Sequence, residues 1–317
     1  MGKFSSLLAP EIETFIRFRE ASGRWNSQDG QKIKFFDSYC AQQYPDSSEL
    51  TQEMVDNWCK KKETEKNNSC RSRTYPVLGF VRFMRERGKT NIKDPLLPAL
   101  EKCTYIPHAF TKSELERFFN ACDNLPSNKA LCIRLRKITV PVFFRLLYSA
   151  GLRTCEARLL MVKDVNLDQG VLSISKSKGA SHHFVVLHDS MLGLMKKYDE
   201  AARALMPERE YFFSSSQNTH YNNKWVDWNF RALWDKCNRS YANPYALRHN
   251  YAIVNINQWI GLGFNFDSKL LYLSKSMGHA ILDSTRYYYS FVPALADILN
   301  DLSGQNFDDI VPEVRND

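Results

Sequence analysis

Four short segments in the second half of the chain carry residue types that can bind an anion and move protons. In Gly151-Leu152-Arg153-Thr154-Cys155-Glu156, the glycine ends one helix. Arg153 then stands at the start of the next, beside backbone N–H groups that have no intrahelical partner, which is a ready site for an anion. Residues 171–187, VLSISKSKGASHHFVVL, form two alternating runs around a turn that holds Lys176 and Lys178. Downstream of Pro244, Tyr245, Arg248 and His249 fall at i, i+3 and i+4 and so share one helix face. Finally, His279 follows Gly278, and Tyr287, Tyr288 and Tyr289 come a short interval later. Taken singly, each has an ordinary reading: a surface arginine, a polar turn, a core histidine, a packed tyrosine cluster.

The elements that must position these groups can be read from periodicity. Residues 10–21, 31–43, a stretch opening at Thr51, and 74–87 each repeat apolar side chains at helical spacing. They predict a four-helix unit with its basic charge on the third and fourth helices. Residues 88–109 contain Gly88, Pro95, Pro98 and Pro107 and sustain no period, so the domain boundary falls there. Thr111 to Glu114 is a capping box ahead of Leu115, Phe118 and Phe119. A longer apolar helix follows from about Ile133 to Ser149, then a β-hairpin within Val165–Leu187, then helical patterns to the end. The expected architecture is mainly α with a small antiparallel sheet: residues 1–94 as a helical domain, 95–107 as linker, 108–296 as a second domain, and 297–317 as an acidic tail.

Composition narrows the class. The 317 residues are 44% hydrophobic and 25% charged, enough apolar material for two domains. No run of about 18 apolar residues suggests a membrane span, and MGKFSSLLAPEIE does not read as a signal peptide. Eight cysteines are scattered without CxxC or paired ligand spacing, which argues against a zinc site and fits reduced cytosolic thiols. There is no P-loop, no GxGxxG and no carboxylate cluster suited to Mg²⁺, so neither metal nor cofactor is expected. The net charge of +8 is concentrated: Lys60 to Lys93 holds eleven basic residues against three acidic ones, while the first 59 residues are net negative. A surface made for phosphates looks like this, although a solvated helical face does too.

In their order and intervals, the four segments resemble the catalytic domain of the tyrosine recombinase (phage integrase) family. The family's G-L-R-x-x-E is matched by Gly151 to Glu156 and its hairpin lysine by Lys178, with Lys176 the alternative. Its H-x-L-R-H appears as Tyr245-Ala246-Leu247-Arg248-His249, and its L-G-H as Met277-Gly278-His279. The nucleophilic tyrosine nine residues after that histidine is Tyr288, with Tyr287 and Tyr289 as neighbouring alternatives. The resemblance extends to the basic helical domain, which is similar to the family's SAM-like core-binding domain, the two domains closing on DNA as a clamp.

What the resemblance implies is DNA strand exchange through a covalent 3′-phosphotyrosyl link, without metal or nucleotide. Arg153 and Arg248 would stabilise charge on the non-bridging oxygens. Tyr288 would attack, Lys178 would protonate the leaving 5′-oxygen, and His279 would hydrogen-bond the phosphate. Tyr245 stands where the family more often has histidine; it is expected to position the phosphate, and it titrates too high for a base at neutral pH. Lys60, Lys61, Lys62, Arg71, Arg73, Arg82 and Arg85 are the expected DNA contacts of the first domain. The implied partner is double-stranded DNA with short inverted core sites. The implied assembly is a homotetramer on two such sites, the tail docking on a neighbouring protomer. A mobile-element integrase, a plasmid or transposon resolvase and a chromosome-dimer resolvase all fit, in a cytoplasmic, nucleoid-associated setting. The alternatives are type IB topoisomerase-like relaxation and a catalytically silent site-specific DNA-binding protein.

Overall fold

The computed structural model describes residues 4–23, 25–101, 107–175, 182–259 and 266–278. The chain divides into two units, Met1–Tyr105 and Ile106–Asp317. Each is built around its own core.

The first unit is four helices: α1 (Ala9–Ala21), α2 (Ser27–Gln43), α3 (Gln52–Cys59) and α4 (Asn67–Glu86). Their starts are written in side chains. Pro10 opens α1, the Asn26 side chain accepts the Asp29 N–H at the head of α2, and Thr51 accepts the Met54 N–H at the head of α3. Ile12, Phe15, Ile33, Phe36, Val55, Val77 and Phe80 are buried together where the helices meet.

Helix α2 starts at Ser27, four residues before its periodic stretch, and two further boundaries differ from the periodic reading. Helix α3 ends at Cys59, so Lys60, Lys61 and Lys62 sit on the connection after it and not on the third helix. Helix α4 starts at Asn67, seven residues before the apolar pattern begins, because its first inward positions are Cys70 and Thr74, both fully buried. Within the expected linker, Pro98 to Glu101 lies along α4. The Asn68 side chain accepts the Glu101 N–H and donates to the Glu101 carbonyl, and Asn67 and Arg71 donate to the carbonyls of Ala99 and Pro98.

The second unit is mainly helical with a small antiparallel sheet, as expected. Helix α5 (Lys112–Asp123) carries the capping box, with Thr111 and Glu114 bonding each other's backbone N–H. Helix α6 (Leu131–Ala150) follows, then the short α7 (Thr154–Arg158). Strands β1 (Val165–Asn166), β2 (Val171–Ile174) and β3 (His183–Val186) pair antiparallel in that order, with Ile174 opposite His183. The expected hairpin is β2–β3, and β1 adds a third strand two residues long. Helices α8 (Asp189–Leu205), α9 (Asn223–Cys237), α10 (Pro244–Trp259) and α11 (Phe266–Ser276) complete the described unit. Phe118, Phe143, Phe144, Phe213, Phe230 and Trp234 form its fully buried aromatic centre. Among the described residues, no helix is long and apolar enough to cross a membrane.

Candidate active site

Two arginines from separate helices converge on one turn. Helix α6 ends on Gly151 in the left-handed region, with φ +62°, and a Cβ there would overlap the Tyr251 ring of α10. Glycine is therefore required both by conformation and by the close approach. The reversal makes Arg153 the residue that caps α7. Its own N–H donates to Glu156 Oε2 at 2.8 Å and its Nη1 to Glu156 Oε1 at 2.5 Å. Its Nη2 reaches across to the carbonyl of Gly278 at 2.9 Å.

Arg248 arrives from α10, where Pro244 sets the first turn and the Asn243 side chain accepts the Ala246 N–H. Its guanidinium is fully buried, donating to the Gly151 and Met277 carbonyls at 2.6 Å each. It also lies 3.7 Å from Glu156 Oε2. Glu156, itself fully buried in its side chain, is thus the carboxylate that both arginines face. Burial of so much charge is tolerable only because paired carbonyls and a carboxylate take up the donors.

The turn they hold, Met277–Gly278, directly precedes His279. Gly278 has φ +63°, and a Cβ on it would come 2.5 Å from the His183 ring. His183 opens β3, so the base of the hairpin abuts this turn. Tyr245 is 42% exposed and meets the His249 ring edge-on at 4.8 Å, one turn along α10. Burial, with the Arg248 charge in support, pushes the His249 imidazole down to about 4, so it is neutral at pH 7. Lys178, Lys176, His279, Tyr287, Tyr288, Tyr289 and the tail 297–317 lie outside the described residues.

Of the expected site, Arg153, Arg248 and Tyr245 are therefore described, and the two arginines share a carboxylate and a turn. From sequence, Glu156 stands in the G-L-R-x-x-E motif without a role, and His183 is not among the site residues. The i, i+3 spacing of Arg153 and Glu156 carried a signal for the first. Nothing local could have pointed to the second.

In the first unit, the expected DNA contacts split into two kinds. Lys60, Lys61 and Lys62 are exposed. The arginines are engaged internally: Arg71 with the Pro98 carbonyl and the Tyr75 hydroxyl, Arg82 with Asp94, and Arg85 with the Ile92 carbonyl and Asp94. Arg73 bonds Glu65 and the Trp58 and Lys60 carbonyls.

Residues 108–292 match the model of the phage integrase family, more than half of the chain. The protein belongs to that family, the tyrosine recombinases. Relatives include a putative integrase/recombinase of Sinorhizobium fredii, 26% identical over 264 residues that cover 79% of this chain and 82% of that one. A second from that organism is 27% identical over 57% of this chain and 59% of its own length. The tyrosine recombinase XerA of Pyrococcus furiosus is 23% identical, covering 70% and 71%. Among solved structures, a lambda integrase dimer bound to a core site aligns with a TM-score of 0.59 at 15% identity, covering 89% of this chain and 76% of that one. A XerH recombinase bound to a palindromic difH substrate gives the same TM-score at 16% identity, covering 86% and 77%. These likenesses establish a shared fold.

Proposed function

We propose that the protein is a site-specific DNA recombinase, cutting and rejoining strands through a phosphotyrosyl intermediate. The observation that carries the reading is the convergence of Arg153 and Arg248 on the Met277–Gly278 turn, immediately before His279. Two guanidiniums fixed by one buried carboxylate form a preorganised cradle for a phosphodiester, whose non-bridging oxygens gain charge as a nucleophile attacks.

In the proposed step, Tyr288 Oη attacks phosphorus at the 3′ side and the bond to the 5′-oxygen breaks. The phenolic proton passes to an acceptor at the site, and Lys178 protonates the departing 5′-oxygen. His279 hydrogen-bonds the phosphate, and the exposed Tyr245 phenol positions it. The exchange of one phosphate ester for another conserves bond energy, so religation by an incoming 5′-hydroxyl needs no nucleotide. A neutral His249 beside Arg248 adds no positive charge and acts in packing. Binding is assigned to double-stranded DNA with short inverted core sites, through phosphates at Lys60 to Lys62 and at Arg71, Arg82 and Arg85 of α4. Strand exchange is assigned to four protomers on two sites, each tail 297–317 docking on a neighbour.

The test selects bound duplexes from a random pool and nicks them centrally. It then looks for a protein–DNA adduct that survives denaturation. Tyr288→Phe should abolish the adduct, whereas Tyr287→Phe and Tyr289→Phe retain it. Loss in a neighbour would move the nucleophile. No adduct on DNA that the protein binds would overturn the enzymatic reading in favour of a silent DNA-binding protein.

A further inference from the structure

Lys60, Lys61 and Lys62, all exposed, sit on the connection between α3 and α4, where no helix or sheet ladder fixes the backbone. Arg73 of α4 points back into that connection. Its Nε and Nη2 bond the two oxygens of Glu65 at 3.0 and 2.7 Å, and Nη2 also donates to the Lys60 carbonyl at 3.2 Å. Nη1 bonds the Trp58 carbonyl, and the guanidinium lies over the Trp58 ring, 5.2 Å from its centre. Glu65 closes the loop from its own side: its N–H bonds the Lys62 carbonyl at 3.0 Å and its carboxylate accepts the Lys62 N–H at 3.4 Å. The Arg73 and Glu65 side chains are 16% and 13% exposed. A planar fork is suited to binding a carboxylate and carbonyls at once, and a lysine cannot span them.

We infer that Arg73 and Glu65 are positioning residues for DNA binding: together they shape the loop that presents Lys60, Lys61 and Lys62 to phosphates, and Arg73 itself does not touch DNA. The inference rests on the reading of those lysines as phosphate contacts. It reverses an electrostatic expectation. Removing the negative charge of Glu65 raises the positive charge of the DNA-binding unit, which on charge alone strengthens binding. If the carboxylate instead holds the loop, removing it weakens binding.

The experiment measures affinity of the full chain for a labelled duplex of random sequence across a KCl series. Glu65→Gln should weaken binding by about fivefold and flatten the slope of log K against log salt by about 0.9 for each phosphate that the lysines no longer neutralise. Arg73→Lys, which keeps the charge, should do the same. Thermal melts check that each variant is folded; loss of folded protein lowers the amplitude of binding and leaves the slope unchanged. Replacing Lys60, Lys61 and Lys62 by alanine should weaken binding and flatten the slope, with Glu65→Gln adding nothing further in that background. Binding by Glu65→Gln that is unchanged or tighter, or by Arg73→Lys that is unchanged, would overturn the positioning role while the lysine contacts stand. A triple variant that binds like the parent would remove the lysine contacts, and the inference with them.

Discussion

Arg73 in the first unit and Arg153 in the second each grip a glutamate and reach past it to a backbone carbonyl, but the two constructions differ in charge. Arg73 and Glu65 are one guanidinium to one carboxylate, a neutral clamp whose product is the shape of a loop. Around Glu156, the described residues set two guanidiniums against one carboxylate, with Arg248 fully buried. Such a cluster keeps positive character toward a phosphate while its geometry stays fixed. Under the proposed function, the same pair of residue types serves scaffolding in one place and anion binding in the other, and the count of partners decides which.

Removing each carboxylate tests that distinction most forcefully. Glu156→Ala should cost about 3–5 kcal/mol of stability, because it leaves buried guanidinium charge without its counter-ion. Glu65→Gln keeps an acceptor at a less buried site and should cost about 1 kcal/mol. Urea unfolding of the two variants measures the difference, and equal losses would erase it.

The pH dependence sharpens the comparison. His249, held down to about 4 by burial and Arg248, refuses a proton that the unfolded chain accepts at its ordinary 6.5. Its contribution is whole above pH 6.5 and fades as pH falls toward 4, a loss on the order of 3 kcal/mol. Glu65, held below its ordinary 4.5 by the hydrogen bond from Arg73, contributes in full above that pH and loses its contribution only beneath it. Glu114 likewise loses its contribution only there: hydrogen bonds from Ser240, the Thr111 N–H and His108 outweigh its burial and bring it to about 2. Between pH 6.5 and 4.5, His249→Gln should therefore flatten the fall in stability measured by denaturant titration, and Glu65→Gln should leave it as steep as in the parent.

How much of this was legible depended on whether the cause was local. The capping box at Thr111 and Glu114, the four amphipathic stretches and the alternating runs around Lys178 are local, and the elements formed where their side chains dictated. The length of α4 was hidden because Cys70 and Thr74 fill inward positions that a scan for large apolar residues passes over. The fate of the arginines was hidden for another reason. Counting charge from Lys60 to Lys93 records no partners, so Arg73, Arg82 and Arg85 looked equivalent to the exposed lysines until Glu65, Asp94 and backbone carbonyls were found to engage them. The site arginines were legible as motif residues, yet full burial of Arg248 and its shared carboxylate were not, because both follow from a meeting of α6, α7 and α10. His183 beneath Gly278 is a contact between segments far apart in sequence, with no period to betray it.

That contact sets the finest comparison, between two left-handed glycines. Gly88, beyond the end of α4, has φ +66° and open space around the position of a Cβ. Gly278 has nearly the same φ, but its Cβ would lie 2.5 Å from His183 Cε1 and 2.9 Å from Nδ1. The imidazole has little room to turn away, since His183 is buried. Gly88→Ala should cost only the left-handed strain, about 1 kcal/mol, and leave DNA cleavage unchanged. Gly278→Ala should add a displacement of the turn that Arg153 and Arg248 hold, lowering the yield of covalent adduct by about tenfold at unchanged DNA affinity. Adding His183→Ala would relieve the overlap without relieving the strain, so part of the adduct should return. If Gly278→Ala behaves like Gly88→Ala, the hairpin base does not constrain the turn, and the arginines alone fix it.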